Sequence, residues 1–136
     1  MATGQISDAI TQAFCADCRE RVLRASEIVQ DGVPLDGAQL DCLHQEFDTL
    51  FGGARAAHLP ELEHYFRQMA RYARHLRNWQ ASGLPVDRLS WQILLDGIEA
   101  APCCGAGLPG FIGKPGNERA LLAQRMENII GNGEAS

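Results

Sequence analysis

The chain has 136 residues, about the size of one domain, and its 12 basic and 17 acidic residues give a net charge of −5. This acidic balance argues against a nucleic-acid-binding protein, whose surface is typically basic. The longest apolar run is far shorter than the ~20 residues of a membrane-spanning helix, and the first residues lack the pattern of a signal peptide. We therefore expect a cytoplasmic globular protein that binds neither nucleic acid nor membrane.

Apolar residues recur every three or four positions through most of the chain, which is the pattern of amphipathic helices. The pattern predicts four helices, over residues 7–30, 36–57, 60–80 and 87–100. No segment shows the alternation of a strand. Four such helices joined by short loops predict an all-α fold, an antiparallel up-and-down four-helix bundle over residues 5–101.

The rest of the chain has a different composition. Residues 102–116 contain five Gly and three Pro, which predicts a linker without regular structure. Apolar residues then recur at helical spacing and predict a short C-terminal helix over 117–131, with an apolar set of Leu121, Leu122, Met126, Ile129 and Ile130.

The five cysteines are Cys15, Cys18, Cys42, Cys103 and Cys104. Their number is odd and nothing indicates secretion, so reduced thiols are favoured over a disulfide framework. The alternative is a metal or redox protein that uses Cys15 and Cys18 together with the adjacent pair. Cys15 and Cys18 lie within a predicted helix at core positions, whereas zinc ligands usually come from turns. We therefore expect neither a metal nor another cofactor.

One segment is locally basic. Residues 61–80 carry a net charge of +2 on this acidic chain, and Arg67, Arg71 and Arg74 share one helical face. This stripe would suit an acidic partner or a phosphate-type anion. The alternative is a solvated face whose arginines pair locally with Glu63 and Asp48.

Two neighbouring segments carry a family resemblance. The second predicted helix contains DTLFGGAR at 48–55, and the third begins with LPELEHYFR at 59–67. With Phe14, Cys18 and Val22 of the first helix, they resemble histidine-phosphotransfer (Hpt) domains, in particular the amino-terminal domain of CheA-type chemotaxis kinases, over residues 10–100. The resemblance implies a four-helix bundle that interacts with the receiver domain or the histidine kinase of a bacterial two-component phosphorelay or chemotaxis-like system.

The residues that carry the chemistry of that family are replaced. Asp48 stands at the phospho-accepting His, Phe51 at the Lys that attracts phosphate, and Arg67 at the Glu that orients the imidazole. A carboxylate offers no nucleophilic nitrogen. The resemblance therefore implies a degenerate Hpt domain, a docking module with no catalytic residue at the standard site. An Hpt-derived domain that packs inside a larger kinase is an alternative.

The implied partner-binding surface consists of Asp48, Phe51, Gly52, Arg55, His64, Arg67 and Arg71. In the family, the small residue at the position of Gly52 lets a receiver domain approach closely. The alternative for Gly52 is helix packing, which is the favoured explanation for Gly53. We also expect an Asp48–Arg67 ion pair, and expect Phe51 to be covered by the C-terminal helix, open to a partner, or buried within the four helices.

Two histidines leave a further alternative. His64 and His44 could each substitute for the missing phospho-acceptor, which would make the protein an active phosphocarrier. The competing interpretation is that both are ordinary histidines at the helix surface, and we favour it.

Overall fold

The structure, a computed structural model, describes the backbone of residues 2–104, 111–112 and 116–135, with side chains for 9–102 and 116–132. This part of the chain contains five α-helices: α1 Ala2–Ile28, α2 Gly37–Ala56, α3 Pro60–Ala81, α4 Arg88–Glu99 and α5 Gly116–Ala135. The predicted all-α class is confirmed, and the arrangement is compatible with a helical bundle. Within the described residues, no helix is both long and apolar enough to cross a membrane.

The helix ends follow the sequence signals. The Asp36 carboxylate accepts a hydrogen bond from the Gln39 backbone N–H at 2.8 Å, and the Gln39 side chain accepts one from the Asp36 N–H at 2.9 Å, a capping box that starts α2. Asp87 caps α4 by accepting from the Ser90 N–H at 2.7 Å. Hydrogen bonds from the Ser90 side chain and then from its backbone hold the pKa of the Asp87 carboxyl below its ordinary value. The first helix is the exception: it begins at Ala2, well before the start predicted at residue 7.

The core lies mainly between α2 and α3, which form the most extensive helix contact. The rings of Phe47 and Phe66 stack with centroids 6.2 Å apart, and Phe14 of α1 meets Phe66 edge-on at 6.5 Å. The predicted apolar residues of the second helix are all buried: Leu40, Leu43, Phe47, Leu50, Ala54 and, just after its end, Ala57.

Some predicted core positions are exposed. Three of the apolar residues that recur at helical spacing remain open to solvent: Ile10 at 43%, Leu89 at 64% and Leu121 at 56%. For Leu89 the reason is the rotation of α4 about its axis, which decides the side of the helix that faces the core. Trp91 lies in the core at 6% exposed, and α4 also buries Ser90 and Gly97. With this side of the helix inward, Leu89 points outward.

The segment predicted as an irregular linker contains local structure. Strand β1, Cys103–Cys104, pairs antiparallel with strand β2, Phe111–Ile112, and β1 packs against α1. The expectation of no strand is therefore wrong at these positions, because two-residue strands are too short to show an alternating pattern. The remaining linker residues, 105–110 and 113–115, lie outside the described part of the chain.

The expectation of fully reduced thiols is also wrong. Cys15 is disulfide-bonded, whereas Cys18 and Cys42 are thiols. Cys15 and Cys18 are buried in α1 as predicted, and the Cys18 thiol contacts the Pro102 carbonyl oxygen at 3.2 Å. No group of His, Cys, Asp and Glu suited to a metal ion occurs among the described residues, which do not include the side chains of 103 and 104.

The last helix belongs to the same core. It packs against α3 and α4, and its residues Ala123, Met126 and Ile130 are buried. A Cβ atom at Gly97 of α4 would lie 2.6 Å from Met126 Cε and 2.7 Å from Met69 Sδ. The missing side chain at Gly97 therefore allows these methionines to fill the space beside α4.

Candidate functional site

The candidate site lies along the border of α2 with α3. Two ion pairs cross this border: Asp41 pairs with Arg77 at 2.9 Å, and Arg55 pairs with Glu63 at 3.8 Å. Since early α2 meets late α3 and late α2 meets early α3, the two helices run antiparallel, as predicted. Asp48 belongs to the same three-and-four-spaced stripe of α2 as Asp41 and Arg55, and is exposed in the middle of the helix.

The predicted ion pair between Asp48 and Arg67 is wrong. Both side chains are exposed, and neither takes part in an ion pair shorter than 4.0 Å in the described part of the chain. The physical reason is the register of the two helices. The Asp41–Arg77 and Arg55–Glu63 pairs place Asp48 level with Ala70, almost one helical turn from Arg67. Both charges therefore remain accessible.

Phe51 is half-buried and packs at the edge of the core. It also lines an open groove, here called the Phe51 groove, together with Arg55, Glu63, His64 and Arg67. Among the described residues this groove is lined by α2 and α3 alone. The two predicted extremes, a Phe51 covered by the C-terminal helix and a Phe51 wholly buried, are therefore wrong. Part of the ring faces the groove, and α5 packs against α3 and α4 instead.

The two adjacent glycines of α2 have different surroundings. A Cβ at Gly53 would lie 2.9 Å from the Phe14 ring, so Gly53 is required for α1 to approach α2. This confirms the packing explanation. A Cβ at Gly52 would meet no atom within 4 Å. The absence of a side chain at Gly52 is therefore not explained by packing against the described residues.

The two alternative phospho-acceptors also differ. His64 is exposed and lines the Phe51 groove. His44 is half-buried, and its Nδ1 lies 2.9 Å from the Ala70 carbonyl oxygen of α3. Because a carbonyl oxygen only accepts, Nδ1 carries the hydrogen, and in the neutral ring Nε2 then bears the lone pair.

Arg71 pairs with α5, a contact that sequence spacing did not reveal. Its Nη1 donates to the Glu127 carboxylate at 2.7 Å and to the Gln68 side-chain oxygen at 2.9 Å. The Gln68 amide in turn donates to Glu127 at 2.7 Å and to the Ala123 carbonyl oxygen at 3.2 Å. Hydrogen bonds from Gln68 and then Arg71 hold the pKa of the Glu127 carboxyl below its ordinary value.

This network corrects the expected local pairing of the arginine stripe. Glu63 pairs with Arg55, and Arg71 pairs with a residue 56 positions away in sequence. Helical spacing identifies residues on the same face of one helix, but it carries no information on which distant helix packs there. Glu127 was therefore missed.

A second groove lies between α3 and α5. This groove, here called the α3–α5 groove, has a volume of about 540 Å³. It is lined by His64, Arg67, Gln68, Arg71, Ala120, Ala123, Gln124 and Glu127. The grooves share His64 and Arg67. Five of the seven residues predicted to bind a partner line these two grooves, and the other two, Asp48 and Gly52, are exposed on α2 outside both linings.

The surface holds charged groups, a half-buried aromatic ring and an open glycine. Such a set suits recognition of another protein. Comparison of the chain with models of known protein families, with curated proteins and with solved structures finds no match.

Proposed function

We propose that the protein is an Hpt-like docking module of a two-component or chemotaxis-like signalling system. It binds a receiver domain through the border of α2 and α3 and carries no phosphoryl group at position 48. In this proposal helices α1 to α4 form the antiparallel four-helix bundle of an Hpt domain. The antiparallel run of α2 and α3 supports that topology.

The observation that carries the proposal is the open space at Gly52. Glycine inside a helix lowers the stability of the helix by roughly 1 kcal/mol relative to alanine, so its presence needs an explanation. The close approach of Phe14 explains Gly53, whereas no described residue explains Gly52. A partner whose backbone approaches α2 one turn after Asp48 would supply it.

The surroundings of Gly52 suit a protein partner with an acidic face. Phe51 offers part of an aromatic ring, and aromatic residues are enriched in protein interfaces. Arg67 is exposed and has no ion-pair partner in the described part of the chain. An acidic partner would give this charge a counterion.

Calorimetric titration of the protein with receiver domains from the same organism tests the proposal. We expect at least one receiver domain to bind, and Gly52→Ala to weaken that binding about ten-fold, equivalent to about 1.4 kcal/mol. Gly131→Ala is the matched control, because Gly131 is also an exposed helical glycine with no atom within 4 Å of an added Cβ. Failure of every receiver domain to bind, or equal binding by both variants, would contradict the proposal.

The geometry of His44 favours a second candidate, an active phosphocarrier. With Nδ1–H donating to Ala70, Nε2 can attack the phosphorus of an aspartyl phosphate on a receiver domain. An N–P bond forms, the acyl P–O bond breaks and the aspartate carboxylate leaves.

Incubation with a radiolabelled, phosphorylated receiver domain separates the two candidates. The docking proposal expects no acid-labile phosphohistidine. It also expects little transfer by Asp48→His, because Phe51 and Arg67 remain in place of the family's Lys and Glu. Label that is lost on His44→Gln and retained on His64→Gln would instead establish the phosphocarrier.

A further inference from the structure

The α3–α5 groove has features of a recognition site for negative charge. Three groups that carry or can acquire positive charge, His64, Arg67 and Arg71, follow one face of α3 along its length. The local charge of residues 61–80 is +2 although the chain as a whole is at −5. The opposite wall, on α5, contributes two alanines, Gln124 and Glu127.

The groove is firmly built. Its floor is Gln68, only 4% exposed, whose amide bonds to the Ala123 carbonyl oxygen and to Glu127. These hydrogen bonds link α3 to α5, the two helices that form the walls of the groove. Since Gln68 and Glu127 both contact Arg71, the guanidinium is held at the groove edge before any ligand arrives.

The charged groups of the groove differ in whether they have a counterion. Glu127 is paired with Arg71, with both side chains more than 40% exposed, whereas Arg67 has no counterion in the described part of the chain. The small side chains of Ala120 and Ala123 leave an open trough beside these charges. Its length along α3, from His64 to Arg71, is about two helical turns, or roughly 10 Å. That length suits an extended peptide of a few residues better than a single small anion.

We propose that the α3–α5 groove is a second subsite, which binds an acidic peptide segment of the docking partner. Arg67 and Arg71 recognise its carboxylates, and Glu127 limits its affinity by competing for Arg71. The inference rests on the proposed docking function, because the groove shares His64 and Arg67 with the Phe51 groove. It adds α5 to a surface that the family resemblance confines to α2 and α3.

Fluorescence anisotropy with a labelled oligoglutamate peptide tests the subsite, with oligoglutamine as the uncharged control peptide. We expect the full chain to bind oligoglutamate, with an affinity that falls as salt is added. Arg67→Gln should reduce the affinity roughly two- to five-fold, the range for one exposed ion pair. Arg74→Gln is the matched control, because Arg74 is an exposed arginine of the same helix outside both grooves. It should leave the affinity unchanged.

Two further variants probe the groove without replacing Arg71, whose hydrogen bonds link α3 to α5. Glu127→Gln should tighten binding, since it removes the competing charge and keeps an acceptor for Arg71. Gln124→Trp should abolish binding by filling the groove. Equal loss with Arg67→Gln and Arg74→Gln, or no effect of Gln124→Trp, would overturn the inference. Because the probe is not a receiver domain, its binding does not depend on the outcome of the receiver titration.

Discussion

At the residue scale, the pair Gly52 and Gly53 separates what the fold requires from what it does not. Both glycines lie in the interior of α2, and both lower its helix propensity by about the same amount. Only Gly53 faces another helix, through the Phe14 ring, which is 5% exposed. A stability measurement can therefore distinguish the packing glycine from the surface glycine.

We expect Gly52→Ala to raise the free energy of unfolding by up to about 1 kcal/mol, because alanine is the better helix former and its methyl group meets nothing. Gly53→Ala should lower the free energy of unfolding by about 1–2 kcal/mol, because its methyl group would displace Phe14. Urea denaturation of the two variants measures both values. Changes of the same sign would show that the two sites are alike.

The exposed position of Asp48 could be predicted from periodicity, because its neighbours Phe47 and Leu50 fix the buried side of the helix. The ion pair with Arg67 could not. A family's paired residues suggest proximity, yet the register of α2 against α3 places Asp48 level with Ala70, almost one helical turn from Arg67. That register is set by tertiary packing, which helical spacing alone does not show.

At the scale of elements, the docking of α5 on α3 and α4 is the feature with the clearest consequences. The apolar part of the contact depends on Gly97, beside Met126 and Met69. The polar part includes Arg119, which pairs with Glu61 of α3 at 2.7 Å, and the Arg71–Glu127 pair. Buried methionines and ion pairs thus act on the same helix.

We predict that Gly97→Leu loosens α5. The added side chain would have to displace Met126, which is fully buried, at a cost of about 1–3 kcal/mol. Hydrogen exchange should show faster exchange of the α5 amides, whereas α2 should change less. Gly131→Leu, at an exposed site on α5 itself, is the control and should leave exchange unaltered.

We also predict that acid weakens the contact of α5. The pKa of Glu127 is lower in the folded chain than its unfolded value of about 4.3, so the ionised carboxylate stabilises the folded state. This contribution is fully present above the unfolded pKa and is lost as the pH falls through the folded pKa. Exchange of the α5 amides, relative to their intrinsic exchange rates at each pH, should therefore accelerate below about pH 4.

Glu127→Gln is the control for this acid effect, because glutamine does not ionise. Its α5 amides should lack the part of the acceleration that belongs to Glu127. Asp87, whose pKa is also lowered, acts at the start of α4, so α4 reports its loss separately. An identical pH dependence in wild type and Glu127→Gln would contradict the assignment.

All five helices were predictable, since each carries an apolar stripe and most have a Gly, Pro or capping residue at an end. The β1–β2 pair was not, because backbone pairing between two-residue segments leaves no side-chain pattern. The position of α5 against α3 and α4 could not be predicted either. A stripe of apolar residues shows that a helix has a buried side, and leaves open which neighbours cover it.

At the scale of the whole molecule, an acidic chain presents a surface that crosses three helices and contains three arginines, Arg55, Arg67 and Arg71. The Phe51 groove and the α3–α5 groove meet at His64 and Arg67. The residues on α2 and α3 could be predicted from spacing and from the resemblance to Hpt domains. The contribution of α5 follows only from the tertiary contact that brings Glu127 beside Arg71.

The most direct test of this account is an NMR titration of the isotope-labelled protein with the receiver domain that binds it. We predict that the largest chemical-shift changes fall on residues 48–55 and 64–71. The pocket that Trp79 lines at the far end of α3, with Val86 and Leu89, should be unaffected. A footprint centred on that pocket or on α1, with residues 48–55 unperturbed, would contradict the central claim that the protein docks its partner through the border of α2 and α3.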